Sequence, residues 1–203
     1  NSAFTAAVGS PDGYIVLSST SSSLSSNPID GTTYTAGNSL GGGTVISVGS
    51  SLSGIANTSL SSVTTYYIFV YAYNNSGSNI NYLSTSPLSA STITLTDAPA
   101  TPTFSSVNTT SFTIDWTATS GASSYRLDLS TVSDFSSFIS GYQDLTVSST
   151  SQAVSGLTEN TLYYARIRAD NASGTSANSS SGNSPTLSNP PTVSTATRIT
   201  TSN

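Results

Sequence analysis

Two stretches of this chain share one register, and in the second of them apolar and polar positions alternate with a period of two. One is LSSVTTYYIFVYAYNNSG, beginning at Leu60, and the other is LTENTLYYARIRADNASG, beginning at Leu157. They match at Leu60/Leu157, Thr64/Thr161, Tyr66/Tyr163, Val70/Ile167, Ala72/Ala169 and Gly77/Gly174, always 97 residues apart. Tyr163, Ala165, Ile167 and Ala169 fall on one face of an extended segment, the pattern of a half-buried strand, and the NASG or NNSG that follows is turn chemistry. A duplication of about 97 residues in a chain of 203 predicts two domains, each the size of a small β-sandwich.

Upstream of the second copy, SFTIDWTATSGASSYRLDLST (Ser111 to Thr131) reads as two further strands, with Trp116 and Tyr125 as core residues. A Leu six residues before a Tyr that opens a strand ending in A-x-N-x-x-G resembles the tyrosine corner and F strand of fibronectin type III domains. In that family the Tyr hydroxyl fixes the turn before the strand. The resemblance implies an all-β chain of two tandem immunoglobulin-like sandwiches, with Leu60 and Tyr66, and Leu157 and Tyr163, as the two tyrosine corners. Domain boundaries follow at 1–97 and 98–187, with 188–203 as an extended C-terminal segment.

The first domain departs from the pattern twice. Phe4-Thr5-Ala6-Ala7-Val8 aligns with Phe112-Thr113-Ile114-Asp115-Trp116, which puts Val8 in the Trp place and Tyr14 in the place of Tyr125, so that the first domain lacks strand A. In addition, 46 residues separate Tyr14 from Leu60 where 32 separate Tyr125 from Leu157. The surplus falls in NPIDGTTYTAGNSLGGGT, expected as a long loop or an added hairpin after strand C. Loops of this kind resemble those of secreted repeat proteins of the Bacteroidota.

A sandwich without strand A leaves backbone groups unpaired at an edge, which invites another strand to add. The segment SNPPTVSTATRITTSN reads like DAPATPTFSSVNTTS, the linker and strand A of the second domain. Pro190–Asn203 is therefore the candidate donor strand for another copy, with Val193, Thr195, Thr197 and Ile199 as its interface residues. The chain's own tail is expected to leave the far pole of the second domain, out of reach of the gap.

If Tyr66, Ile68, Val70 and Ala72 point into the first sandwich, Ile15, Leu17, Tyr67, Phe69, Tyr71 and Tyr73 form an outward apolar face. Two readings stand. The face is an interface, for another subunit or for a glycan stacking on the rings, or the insertion with Tyr34 folds over it as a second small core. The same face of the second domain carries Arg126, Asp128, Arg166, Arg168 and Asp170, expected as solvated surface pairs.

Composition narrows the function. The chain has no His, Cys or Met, and its four cations are all Arg, so nucleophilic triads, redox pairs and the usual zinc sites are excluded. No paired carboxylates suggest themselves, and Asp12-Gly13 and Asp30-Gly31 read as turns and not as calcium loops. The expectation is a protein that is not an enzyme and takes no cofactor or metal. A net charge of −5 argues against nucleic acid as a partner, and no run of residues has membrane-spanning length. The expected function is structural: a repeat unit of a bacterial extracellular filament or long surface adhesin, with copies of itself as partner. Alternatives are a spacer module of a secreted carbohydrate-active enzyme and a glycan-binding adhesin module.

Overall fold

The computed structural model describes residues 2–192. The chain divides into two units, the first comprising residues up to Leu95 together with Ala172–Gly174, the second the remainder. Both are built of strands, with one 3-10 turn at Gly77–Asn79.

The second unit is a complete two-layer sandwich. One sheet consists of β7 (Thr103–Ser105), β8 (Ser111–Asp115) and β11 (Ser151–Ser155), in the order β11-β8-β7. The other consists of β9 (Ser124–Ser130), β10 (Leu145–Val147), β12 (Leu162–Asn171), β13 (Gly174–Thr175) and β14 (Gly182–Pro185), with β9 and β12 central. Alternation decides which residues face inward: Phe112 and Ile114 from one sheet meet Tyr125, Leu127, Tyr163, Ala165 and Ile167 from the other in one buried cluster.

The first unit has one full sheet and a remnant of the other. β1 (Gly13–Ser19), β2 (Ser39–Leu40), β3 (Gly43–Gly49), β4 (Thr65–Asn74), β5 (Asn81–Tyr82) and β6 (Leu88–Ile93) form a six-stranded sheet with β1 and β4 at its centre. Among the described residues, the facing layer is reduced to an isolated bridge between Ser2 and Ile55 and a hydrogen bond from the Phe4 amide to the Leu52 carbonyl, 3.0 Å. In the second unit the equivalent bond runs from the Trp116 amide to the Thr150 carbonyl, also 3.0 Å. Phe4, and not Val8, thus takes the Trp116 place; Val8 lies fully exposed. Among the described residues, none pairs in the first unit as β7 does with β8.

The insertion after strand C supplies the β2–β3 hairpin and covers the outer face of the sheet. Ile15, Leu17, Phe69 and Tyr71 are buried there with Leu40, Val45, Ile80 and Tyr82, and Leu24 and Tyr34 pack against them. The Tyr71 hydroxyl donates to Asn27 Oδ1 at 2.9 Å, and the Tyr82 hydroxyl donates to the Thr32 carbonyl at 2.9 Å. The expected interface at Ile15, Leu17, Tyr67, Phe69, Tyr71 and Tyr73 is therefore corrected. Four of these residues are closed off by the chain's own insertion, and Tyr67 and Tyr73 are half-buried at the margin. Burial of this apolar strip removes the cost of leaving it in water.

Candidate functional site

The exposed apolar surface of the first unit is on its other face, where the second layer is incomplete. Register places Ile68 opposite Ala90 and Val70 opposite Leu88. These four residues, with Phe4 and Ser2, line a cleft of about 240 Å³. β6 is exposed from Leu88 through Thr92, whereas Gly182, on the matching strand of the second unit, is buried. The difference has a visible cause. In the second unit β7 pairs with β8 and runs across β14, so close that a methyl group on Gly182 would collide with the Pro102 carbonyl. No described residue does this for β6.

The same absence shows at the tyrosine corners. The Tyr163 hydroxyl accepts a hydrogen bond from the Thr158 amide at 2.9 Å, and the Tyr66 hydroxyl accepts one from the Ser61 amide at 3.1 Å. In each case the ring locks the turn that feeds the long central strand. The surroundings differ. Leu157 is 6% exposed and its amide donates to the Thr110 carbonyl just ahead of β8, while Leu60 is 38% exposed. Tyr163 packs edge-on against Phe112, with ring centroids 5.7 Å apart, but Tyr66 stays half-buried. Val193, Thr195, Thr197 and Ile199, expected as donor-strand residues, lie outside the described residues.

In the second unit the face expected to be solvated is partly covered. Asp128 is 2% exposed and accepts hydrogen bonds from Arg166 Nε at 2.9 Å, from Arg168 and from the Asp144 amide at 2.7 Å. Arg166 lies over the Phe135 ring, 4.3 Å from its centroid. A buried carboxylate needs this many donors to offset its lost hydration. At the margin, burial pushes Asp170 up, but hydrogen bonds from Arg126 (2.6 Å) and Thr175 and the Arg126 charge outweigh it and hold its pKa below the usual carboxylate value. Asp134 is lowered by the hydrogen bond from the Ser136 amide. Burial raises the Tyr71 and Tyr82 hydroxyls. Among the described residues, no three or more Asp, Glu, His or Cys side chains gather as a metal site. No helix is long and apolar enough to cross a membrane.

Solved structures with similar folds are fibronectin type III domains. One is the sixth such domain of human fibronectin type III domain containing protein 3, 19% identical over 49% of this chain and 92% of that one, with a TM-score of 0.41. A second is the chicken CNTN1 FN1-FN3 domains, 15% identical over 86% of this chain and 56% of that one, with a TM-score of 0.40. A third, FN3tt, is 28% identical over 47% of this chain and 98% of that one, with a TM-score of 0.38. No curated protein matches the chain. Residues 97–184 match the family model of the fibronectin type III domain.

Proposed function

We propose that this chain is a structural repeat unit of a bacterial extracellular filament or long surface adhesin. Units join by strand complementation, the segment Pro190–Asn203 of one copy entering the first sandwich of the next. The observation that carries this reading is the cleft between Phe4 and β6, an apolar seat that no strand crosses among the described residues, in a chain whose second unit has the matching place filled by β7. An unpaired edge of β6 beside exposed Leu88 is a site where an added strand gains both backbone pairing and apolar burial.

Assembly is the mechanism. A strand that enters the gap converts an exposed edge into sheet interior and couples each unit to its neighbour. The glycan-binding alternative loses its support, since the rings that would have stacked on sugar are enclosed by the insertion.

The test is removal of Pro190–Asn203. The full chain should form linear assemblies visible by electron microscopy and light scattering, and the shortened chain should stay monomeric with its second unit folded. Identical assemblies from both would overturn the proposal and leave the spacer role.

A further inference from the structure

The oxidisable side chains of this chain are almost all tyrosines: it has no Cys or Met, one Trp and 11 Tyr. Three of the tyrosines gather on the covered face of the first unit. The Tyr82 ring meets Tyr34 edge-on, with centroids 5.8 Å apart and planes at 65°, and meets Tyr73 at 5.9 Å and 63°. Tyr34 belongs to the insertion, Tyr82 to β5 and Tyr73 to β4.

Hydroxyl anchoring separates the two contacts. Ile29–Thr32 is a turn closed by the Thr32 amide on the Ile29 carbonyl at 3.1 Å, with Gly31 at a φ of 78°. The turn is fixed to β5 and the residue before it, since the Tyr82 amide donates to Asp30 Oδ1 and the Gly31 amide to the Ile80 carbonyl, both at 2.8 Å. Its two ends hold the two phenols. The Tyr34 hydroxyl accepts from the Ile29 amide at 3.3 Å, and the Tyr82 hydroxyl donates to the Thr32 carbonyl at 2.9 Å. The ends of such a turn lie within about 7 Å of each other, so the hydroxyl ends of Tyr34 and Tyr82 converge. The Tyr73 hydroxyl instead lies against Gly13, where a side chain on that residue would stand. Tyr73 and Tyr82 touch, but their hydroxyl ends go to different places.

We infer that Tyr34 and Tyr82 form a site of oxidative cross-linking, joined as a dityrosine by hydrogen peroxide acting through a one-electron peroxidase. Phenoxyl radicals couple through the ring carbons beside the hydroxyl, the carbons that this anchoring brings together. One hydrogen atom leaves each phenol, and the peroxide that takes them becomes two waters. The two radicals form one carbon–carbon bond, and the hydrogen on each bonded carbon then moves to its oxygen, which restores both phenols. The protein loses two hydrogens in all. Tyr34, half-buried, is the ring the oxidant meets, and Tyr82, 6% exposed, is oxidised through it. The bond ties the insertion to the sheet it covers and needs no neighbouring unit.

The experiment treats the dilute full chain with a haem peroxidase and hydrogen peroxide. Pepsin digestion and mass spectrometry should show one dominant linked pair of peptides, carrying Tyr34 and Tyr82 and lighter than their sum by two hydrogens. Closing a loop of about 50 residues should also raise the Tm of the first unit by about 10 °C. Dityrosine fluorescence should be lost in Tyr34→Phe and kept in Tyr73→Phe. Tyr34→Phe keeps the ring and gives up one exposed hydrogen bond, so the fold is retained. Coupling of Tyr73 to Tyr82, coupling only between chains, or no coupling in the folded parent chain overturns the site. So does undiminished fluorescence from a folded Tyr34→Phe.

Discussion

The Phe4 ring stands edge-on to Tyr14, with centroids 4.9 Å apart and planes at 76°, much as Trp116 stands to Tyr125 at 5.5 Å and 70°. In each unit the Tyr hydroxyl then accepts an amide hydrogen at 2.9 Å, from Ala7 or from Thr119. One aromatic pair thus closes the same corner twice, once with phenylalanine and once with tryptophan. The indole Nε1 of Trp116 is buried without a hydrogen-bond partner, so the larger ring carries a polar group its site does not satisfy.

Trp116→Phe should for this reason cost the second unit little. The lost contact area is offset by removal of the unpaired N–H, and the net change should stay within about 1.5 kcal/mol, well below the usual cost of truncating a core aromatic. Urea denaturation followed by tyrosine fluorescence checks it; a loss of about 3 kcal/mol or more would mean that the indole N–H is satisfied after all.

The two tyrosine corners should respond unequally. Tyr163 is 2% exposed, so Tyr163→Phe leaves the Thr158 amide with few alternatives and should cost about 1 to 2 kcal/mol. Tyr66 is half-buried beside exposed Leu60, and Tyr66→Phe should cost less than half as much, since water can take over the Ser61 amide. Thermal unfolding of the two variants compares them directly.

Gly182→Ala tests the close crossing of β7. Its methyl group meets the Pro102 carbonyl, a backbone atom that moves only if the whole strand moves. A loss of about 1 to 3 kcal/mol is expected, with faster amide exchange along Thr103–Ser105. Ala90 holds the matching position in the first unit and lines the open cleft, and Ala90→Gly should leave stability within about 1 kcal/mol.

Acid should weaken the second unit in a defined window. The native Asp170 pKa lies below its unfolded value of about 3.9, so the unfolded chain binds more protons as the pH falls. The stabilisation is complete well above pH 4 and is lost as the pH drops through the native pKa. The urea midpoint should fall between pH 6 and pH 3, and by less in Asp170→Asn, in which Arg126 and Thr175 face a neutral amide.

Much of the fold was legible because strands alternate. The 97-residue repeat located β4 and β12, and the Leu–Tyr spacing located both hydroxyl-to-amide locks. The register at Phe4 was not legible, because one Phe matches two positions of S-F-T-I-D-W, and only the bond from Phe4 to Leu52 decides between them. The covered aromatic face had a signal in the run Tyr14-Ile15-Val16-Leu17. Four consecutive apolar residues mark a strand enclosed on both sides, and every residue of β1 is buried. Asp128 alternates outward as expected. It is nevertheless buried, because Phe135 and the segment leading to Asp144 close over it, a long-range contact that spacing does not encode.

The insertion gives the first unit a consequence for timing. Its sheet is held from one side by a cover drawn from its own sequence, whatever happens on the other. Such a sheet can fold before anything covers its other face. Under the proposed strand complementation, a newly made chain should therefore be competent to join before any neighbour arrives.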